Sequence, residues 1–214
     1  MRTDQNFLMD IDNVIAGFDR ALRTLSGQRP AARPLPTDAA PVELSVPERE
    51  HVAGLMRVNH AGEVCAQALY EGQALVARSE AVRTQMQAAA AEEQDHLAWC
   101  EDRLRELDSG PSVLGPLFYG ASFMMGATTA MLGDRISLGF VEATEDQVCR
   151  HLDEHMQRLP AEDERSRQIL EQMRADEQRH GAQALAAGGT SFPAPVKGVM
   201  RLLAKVMTET TYRV

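Results

Sequence analysis

Residues 91–99 read "AEEQDHLAW" and residues 175–183 read "ADEQRHGAQ". Each stretch places a glutamate, Glu93 or Glu177, three positions before a histidine, His96 or His180, with a glutamine in the same place between them. On an α-helix three residues turn about 300° and rise about 4.5 Å, so both side chains leave the same face and can touch one cation. One such pair carries little weight in a glutamate-rich helical protein, where most lie in solvent. A di-metal bundle makes a further demand: each of the other two helices must offer an inward carboxylate. Glu63 stands 30 residues before Glu93, and Glu145 stands 32 before Glu177. The chain therefore carries two half-sites of one form, a glutamate followed by E-x-x-H, in an internal two-fold pattern.

The neighbours of Glu63 are small or apolar (Ala61, Gly62, Val64, Cys65, Ala66), a setting in which an unpaired carboxylate is costly and a cation removes the cost. Glu145 lies among Phe140, Val141, Ala143, Val148 and Cys149, with Glu142, Asp146 and Arg150 also near. Glu142 is its rival on the same face; the interval of 32 residues matches the first half better than the 35 from Glu142, so Glu145 is preferred. Four glutamates and two histidines without a thiolate suit iron or manganese better than structural zinc. In that arrangement Glu93 and Glu177 bridge two metals, His96 and His180 each cap one, and Glu63 and Glu145 are terminal. His60, one turn before Glu63, is a candidate for an outer position beside the ligands. Glu92, Asp95, Asp146 and Asp176 are candidates to orient the histidines, against their plainer reading as a solvated face. His151 lies about 120° around the helix from Glu145, and His155 about 15 Å along it, so neither is expected to ligate; His51 reads as a surface residue.

Around these motifs the pattern is helical throughout. Ser45 and Glu48, with Pro47 in the first turn, form a capping box for a helix over about 46–78. A second helix is expected over 81–107, stopping before "DSGPS"; a helical pattern resumes at Asp134 and runs to about Leu159; a fourth long helix covers 161–187 and stops at Gly188 and Gly189. A short amphipathic helix follows in "VKGVMRLLAKVMTETTYRV". Four long helices are what a four-helix bundle needs, and the expected fold is all-α. Aromatic residues at 5%, with alanine, leucine, glutamate, glutamine and arginine recurring, agree. Ahead of this domain, assigned to 45–214, residues 1–26 carry an apolar stripe (Phe7, Leu8, Ile11, Val14, Ile15, Phe18, Leu22, Leu25), either a helix packed on the domain or one for a membrane surface or partner. Residues 27–44, proline-rich in "GQRPAARPLPTDAAP", read as an extended linker.

Residues 112–133, "SVLGPLFYGASFMMGATTAMLG", hold no charge over 22 residues, long enough to span a bilayer yet rich in glycine, alanine, serine and threonine rather than leucine. The expectation is a segment partly buried in the bundle and partly dipped into one leaflet, rather than a full span. Its small residues permit close helix pairing. A net charge of −9 leaves no basic face for nucleic acid. Three cysteines, Cys65, Cys100 and Cys149, lie in no CxxC or CxxH spacing and read as reduced, packed thiols.

In this order "RVNHAGE", "EEQDH", "VEATEDQVCRHL" and "ADEQRH" resemble the Coq7 family of demethoxyubiquinone hydroxylases, carboxylate-bridged di-iron proteins of the ferritin-like fold that act in ubiquinone biosynthesis. The resemblance covers about residues 45–214. It implies iron ligands at Glu63, Glu93, His96, Glu145, Glu177 and His180, two ferrous ions, and hydroxylation of the ring of a polyprenylated demethoxy precursor with O2 and an NADH-type reductant. It further implies a peripheral protein on the cytoplasmic face of a bacterial inner membrane, in a homo-oligomer or a ubiquinone-biosynthesis complex. One departure is Leu152, where many relatives have tyrosine after the histidine; Tyr212 is the candidate substitute. Another ferritin-like protein, an iron store or peroxidase, explains the six ligands equally well but not the apolar segment. A metal-free helical interaction module requires the doubled motif to be chance.

Overall fold

The computed structural model describes residues 17, 19, 21–27 and 31–214. After a helical stretch over 21–26, six helices follow one another among the described residues: α1 (Val46–Val76), α2 (Glu80–Glu106), α3 (Gly115–Met131), α4 (Asp134–Arg158), α5 (Glu164–Ala186) and α6 (Ala194–Thr211). The bounds fall within a few residues of those read from caps and breakers. The Ser45 N–H donates to Glu48 Oε2 at 2.9 Å, closing the expected capping box at the head of α1. Gly188 has φ +99, the left-handed conformation that ends α5. Asp163 caps the start of α5 by accepting from the Ser166 N–H at 3.1 Å, and the buried Arg103 of α2 reaches the same carboxylate at 2.9 Å.

Helices α1 and α2 form one antiparallel hairpin, α4 and α5 a second, and α3 is the crossover between them. One end of the crossover is fixed where Arg57 donates to Gly110 O, the other where Arg78 donates to Met131 O, so α3 travels back along α1. The approach is close enough that glycine is required on both sides: a Cβ at Gly72 would collide with Phe123 O, and one at Gly126 with Leu69 O. Gly133, at φ +117, then breaks the chain direction, so the uncharged segment is a helix of its own and does not run continuously into the helix bearing Glu145. No helix of the described residues is long and apolar enough to cross a membrane.

Two large apolar clusters fill the ends of the bundle, and a smaller one of Val64, Ala68, Leu97 and Tyr119 lies under α3. One large cluster holds Leu55, Met56, Trp99, Leu104, Leu152 and Met173; the other Ala66, Tyr70, Met86, Ala90, Val141 and Ala184. On each of α1, α2, α4 and α5 the sequence between them is the stretch that carries the motif, so the acidic residues lie between two apolar plugs. Cys100 is buried and Cys65 and Cys149 are half-buried, all free thiols.

Residues 31–45 form no helix and lie against the bundle, with Ala31, Leu35 and Leu44 packed on the first cluster. Of the N-terminal stripe, Phe7, Leu8, Ile11, Val14, Ile15 and Phe18 lie outside the described residues; Leu22 and Leu25 are exposed, within a helical stretch over 21–26.

Candidate metal centre

Each ligand candidate is delivered by a different turn of the bundle: Glu63 by α1, Glu93 and His96 by α2, Glu145 by α4, Glu177 and His180 by α5. All six are buried, none more than 4% exposed. They fall into two overlapping groups that share Glu93 and Glu177. One adds Glu63 and His96, the other Glu145 and His180, and within each group one ligand atom per residue lies within 4.8 Å of the others. His96 Nδ1 is 3.0 Å from Glu93 Oε2, 3.0 Å from Glu177 Oε1 and 3.5 Å from Glu63 Oε2. His180 Nδ1 is 3.1 Å from Glu177 Oε2 and 3.2 Å from Glu93 Oε1. The six residues chosen from spacing are thus brought together, and Glu145 rather than Glu142 is the fourth carboxylate. Glu142 sits outside the cluster and pairs with Lys197 at 2.8 Å.

Four carboxylates at this spacing repel one another unless positive charge lies among them. One oxygen of each of Glu63, Glu93, Glu145 and Glu177 is buried without a well-formed hydrogen bond, and those of Glu63, Glu93 and Glu177 lie 3.5, 3.2 and 3.0 Å from an imidazole Nδ1. Buried carboxylate oxygens converging in this way, with imidazole nitrogens as their neighbours, fit a cation. Protonation shows the same demand. Burial, together with the neighbouring Glu93 and Glu177 charges, pushes Glu63 and Glu145 well above the usual carboxylate range. Burial opposes the charged form of Glu93 too, but its bonds to His180 and His96 win and hold it low. Burial likewise opposes a charged imidazole, yet the facing carboxylates raise His96 well above its ordinary value and His180 to about 11. The cluster draws in cations, protons if nothing else, and two divalent metals would balance four carboxylates.

The outer nitrogens are held by a crossed pair of acids. His96 Nε2 is 3.1 Å from Asp176 Oδ2, and His180 Nε2 is 3.3 Å from Glu92 Oε2. Asp176 immediately precedes Glu177, and Glu92 immediately precedes Glu93, so each E-x-x-H helix carries the acid that orients the other helix's histidine. With Nε2 engaged in this way, Nδ1 of each ring faces the glutamates. Asp95 also serves this shell, through Arg33, whereas Asp146 does not: it is bonded on the surface to Arg150 at 2.6 Å.

Two outer candidates are corrected. His60 is buried but its Nε2 faces Glu101 Oε1 at 3.2 Å, because its ring turns into the α1–α2 seam and not toward the ligands. Tyr212 lines the same cavity as Glu63, yet its hydroxyl is 2.6 Å from His51 Nδ1, and Arg57 holds its backbone carbonyl at 2.8 Å. These contacts hold the end of α6 at α1 and leave no hydroxyl for the carboxylates. His51, read as a surface residue, is accordingly half-buried, with Nε2 3.0 Å from Arg158 O. Leu152 is wholly buried in the first apolar cluster.

Two residues escaped the sequence reading. Tyr70 donates to Glu145 Oε1 at 2.5 Å. It lies seven residues after Glu63, two turns along the same face, a spacing that could have marked it. Arg33 reaches Asp95 at 2.6 Å and Asp176 at 2.8 Å from the segment read as linker, and no local pattern signals that.

A cavity of about 840 Å³ opens between α1, α4 and α6 and ends at Glu63. Asn59, His151, Leu152 and His155 line its wall. Burial lowers His151 to about 4 and His155 to about 2, so both are neutral near pH 7. His155 Nδ1 meets Asn59 Oδ1 at 2.9 Å, while His151 Nε2 is buried with no partner.

Residues 50–211 match the family model described as ubiquinone biosynthesis protein COQ7. A 3-demethoxyubiquinol 3-hydroxylase of Pseudomonas aeruginosa is 59% identical over the whole of both chains. That of Pseudomonas fluorescens is 59% identical over 99% of this chain and all of its own. The enzyme of the same name from Azotobacter vinelandii is 61% identical over 95% of each chain.

Proposed function

Because the chain belongs to the family of the ubiquinone biosynthesis protein COQ7, we propose that it is a di-iron monooxygenase hydroxylating the ring of a polyprenylated demethoxyubiquinol, with O2 and an NADH-type reductant as co-substrates. The observation that carries the reading is the set of four buried carboxylates facing two imidazole Nδ1 atoms inside the bundle. Glu93 and Glu177 would bridge the irons, His96 and Glu63 would complete one position, and His180 and Glu145 the other. When bound, the iron pair would supply activation of O2 at the inner end of the cavity. An all-oxygen and nitrogen donor set suits iron in this role.

The rest is work for the protein's own side chains. The cavity brings a ring to the Glu63 side of the cluster, between α1 and α4. The neutral His151 lines the cavity, and its ring packs on that of His155, itself bonded to Asn59, which limits the orientations it can adopt. Tyr70 holds Glu145 in one rotamer from the second apolar cluster. A polyprenyl tail leaves beside α6, whose Val199, Leu202, Leu203 and Val206 form an exposed stripe at helical spacing. Leu117, Met124 and Met131 make a second on α3, seven residues apart. These stripes support attachment at a membrane surface without a span. Flotation with vesicles and release by carbonate would agree; retention in the pellet after carbonate would contradict it.

The deciding assay is anaerobic loading with ferrous iron, then addition of O2, NADH and a short-tailed demethoxyquinone, with the product followed by mass. Gain of one oxygen atom is the expected result. Peroxide turnover or iron mineral loading with an unchanged quinone would point instead to the storage or peroxidase reading.

A further inference from the structure

The two halves of the cluster are alike in their ligands and unlike in what stands behind their histidines. Behind His180 is Glu92, whose side chain is 37% exposed and whose partner Arg179 is 42% exposed. Behind His96 is Asp176, 1% exposed and fully engaged: Arg33 on Oδ2, Arg179 and Gln172 on Oδ1. Arg33 comes from the non-helical segment that crosses the seam between α2 and α5. Its Nε meets Asp95 Oδ2 of α2 at 2.6 Å, its Nη1 meets Asp176 Oδ2 of α5 at 2.8 Å, and its guanidinium lies 4.7 Å over the Trp99 ring. The Ala32 N–H adds a bond to Asp95 Oδ1 at 2.6 Å, so the strap and the side chain are anchored together.

We propose that Arg33 is a positioning residue for the metal site: by fixing Asp176, it orients His96 and makes the His96 position the tighter of the two. The inference rests on the di-metal reading above. A planar guanidinium can satisfy two carboxylates on different helices at once while its face packs on an indole; a lysine ammonium, a point charge on a flexible stem, cannot do all three. Asp176, buried and paired, leaves His96 little freedom to turn away, whereas water and salt screen the pairing that holds Glu92. An outer partner of a ligating histidine is worth about 10–100-fold in metal affinity, so unequal partners make unequal metal positions.

The test is an anaerobic cobalt(II) titration of the metal-free full chain, read by the visible ligand-field bands, with thermal unfolding of each metal-free variant alongside. Wild type takes two ions in two steps of different affinity. R33Q weakens the tighter step by about tenfold or more and changes its band shape, while the weaker step stays in place. R33K fails to restore the tight step. E92Q, as the opposite marker, moves only the weaker one. If R33Q does not fold, D95N releases the same fork from its far end and gives the same readout. Two ions on wild type with the tight step unmoved in R33Q would overturn the role of Arg33 alone. So would an equal weakening of both steps together with a lower metal-free melting temperature, since that is what a purely structural strap does. Fewer than two ions on wild type would overturn the di-metal reading and this inference with it.

Discussion

The hairpin of α1 and α2 and the hairpin of α4 and α5 present the same three ligands in the same order, yet the protein supports them by different means. In the first, the terminal carboxylate Glu63 borders the cavity, while His96 is locked from behind by a buried ion-paired aspartate. In the second, Glu145 is tied by Tyr70 deep in the apolar cluster, while His180 relies on a glutamate at the surface. The repeat places the ligand candidates alike; the supports behind them differ.

The comparison breaks most completely where the halves share a residue. Glu177→Ala and Glu93→Ala remove an oxygen from both positions, so each should cost activity by more than about 100-fold, beyond the loss expected of any outer partner. Metal analysis after anaerobic reconstitution should find well under two irons per chain in either variant; a variant that keeps both irons and full turnover contradicts the bridging roles. Tyr70→Phe should separate the halves. It removes one bond to Glu145 and leaves Glu63 untouched, so a loss of about tenfold is expected in binding at the His180 position only. Isothermal titration that shows both positions weakened equally would argue against this division.

Smaller effects come from the helices that back the two halves. Gly126→Ala drives a methyl into Leu69 O and should destabilise the α1–α3 contact by about 1–3 kcal/mol, read as a lower melting temperature. Gly139→Ala would meet Thr190 O behind the second half and should cost a similar amount. A large difference between the two would show that one hairpin carries more of the fold. The smallest effect concerns pH. His151 is held at about 4 when folded, below its ordinary 6.5, so the unfolded chain takes up the proton first. Its contribution is complete above pH 6.5 and is lost as the pH falls toward about 4. His151→Asn should flatten the change in urea midpoint between pH 7 and pH 5; an unchanged slope would assign that sensitivity elsewhere.

Much of this was readable from the chain because the repeating unit is local. The three-residue offset within E-x-x-H and the length of a helical hairpin are properties of one helix and its return, and they were enough to pick Glu145 over Glu142. Caps and glycine stops likewise act within a turn, which is why the bounds of α1 and α5 came close. Tyr70 was within reach of the same periodicity. His60 and Tyr212 were misplaced for a different reason: nearness along a helix or to the chain's end does not say which way a ring turns once Glu101 or His51 competes for it.

The sequence by itself determined an all-helical bundle with two matching half-sites and six ligand candidates, since helical periodicity converts spacing into a shared face without help from the rest of the chain. Only the tertiary structure decided that the uncharged segment is a separate crossover helix, that each motif's leading acid serves the other motif's histidine, and that Arg33 enters the shell behind His96. Those contacts join residues as far apart as Arg33 and Asp176, 143 positions along the chain. Their partners are selected by packing, where one buried carboxylate must find one cation, and no periodicity in the sequence encodes that choice.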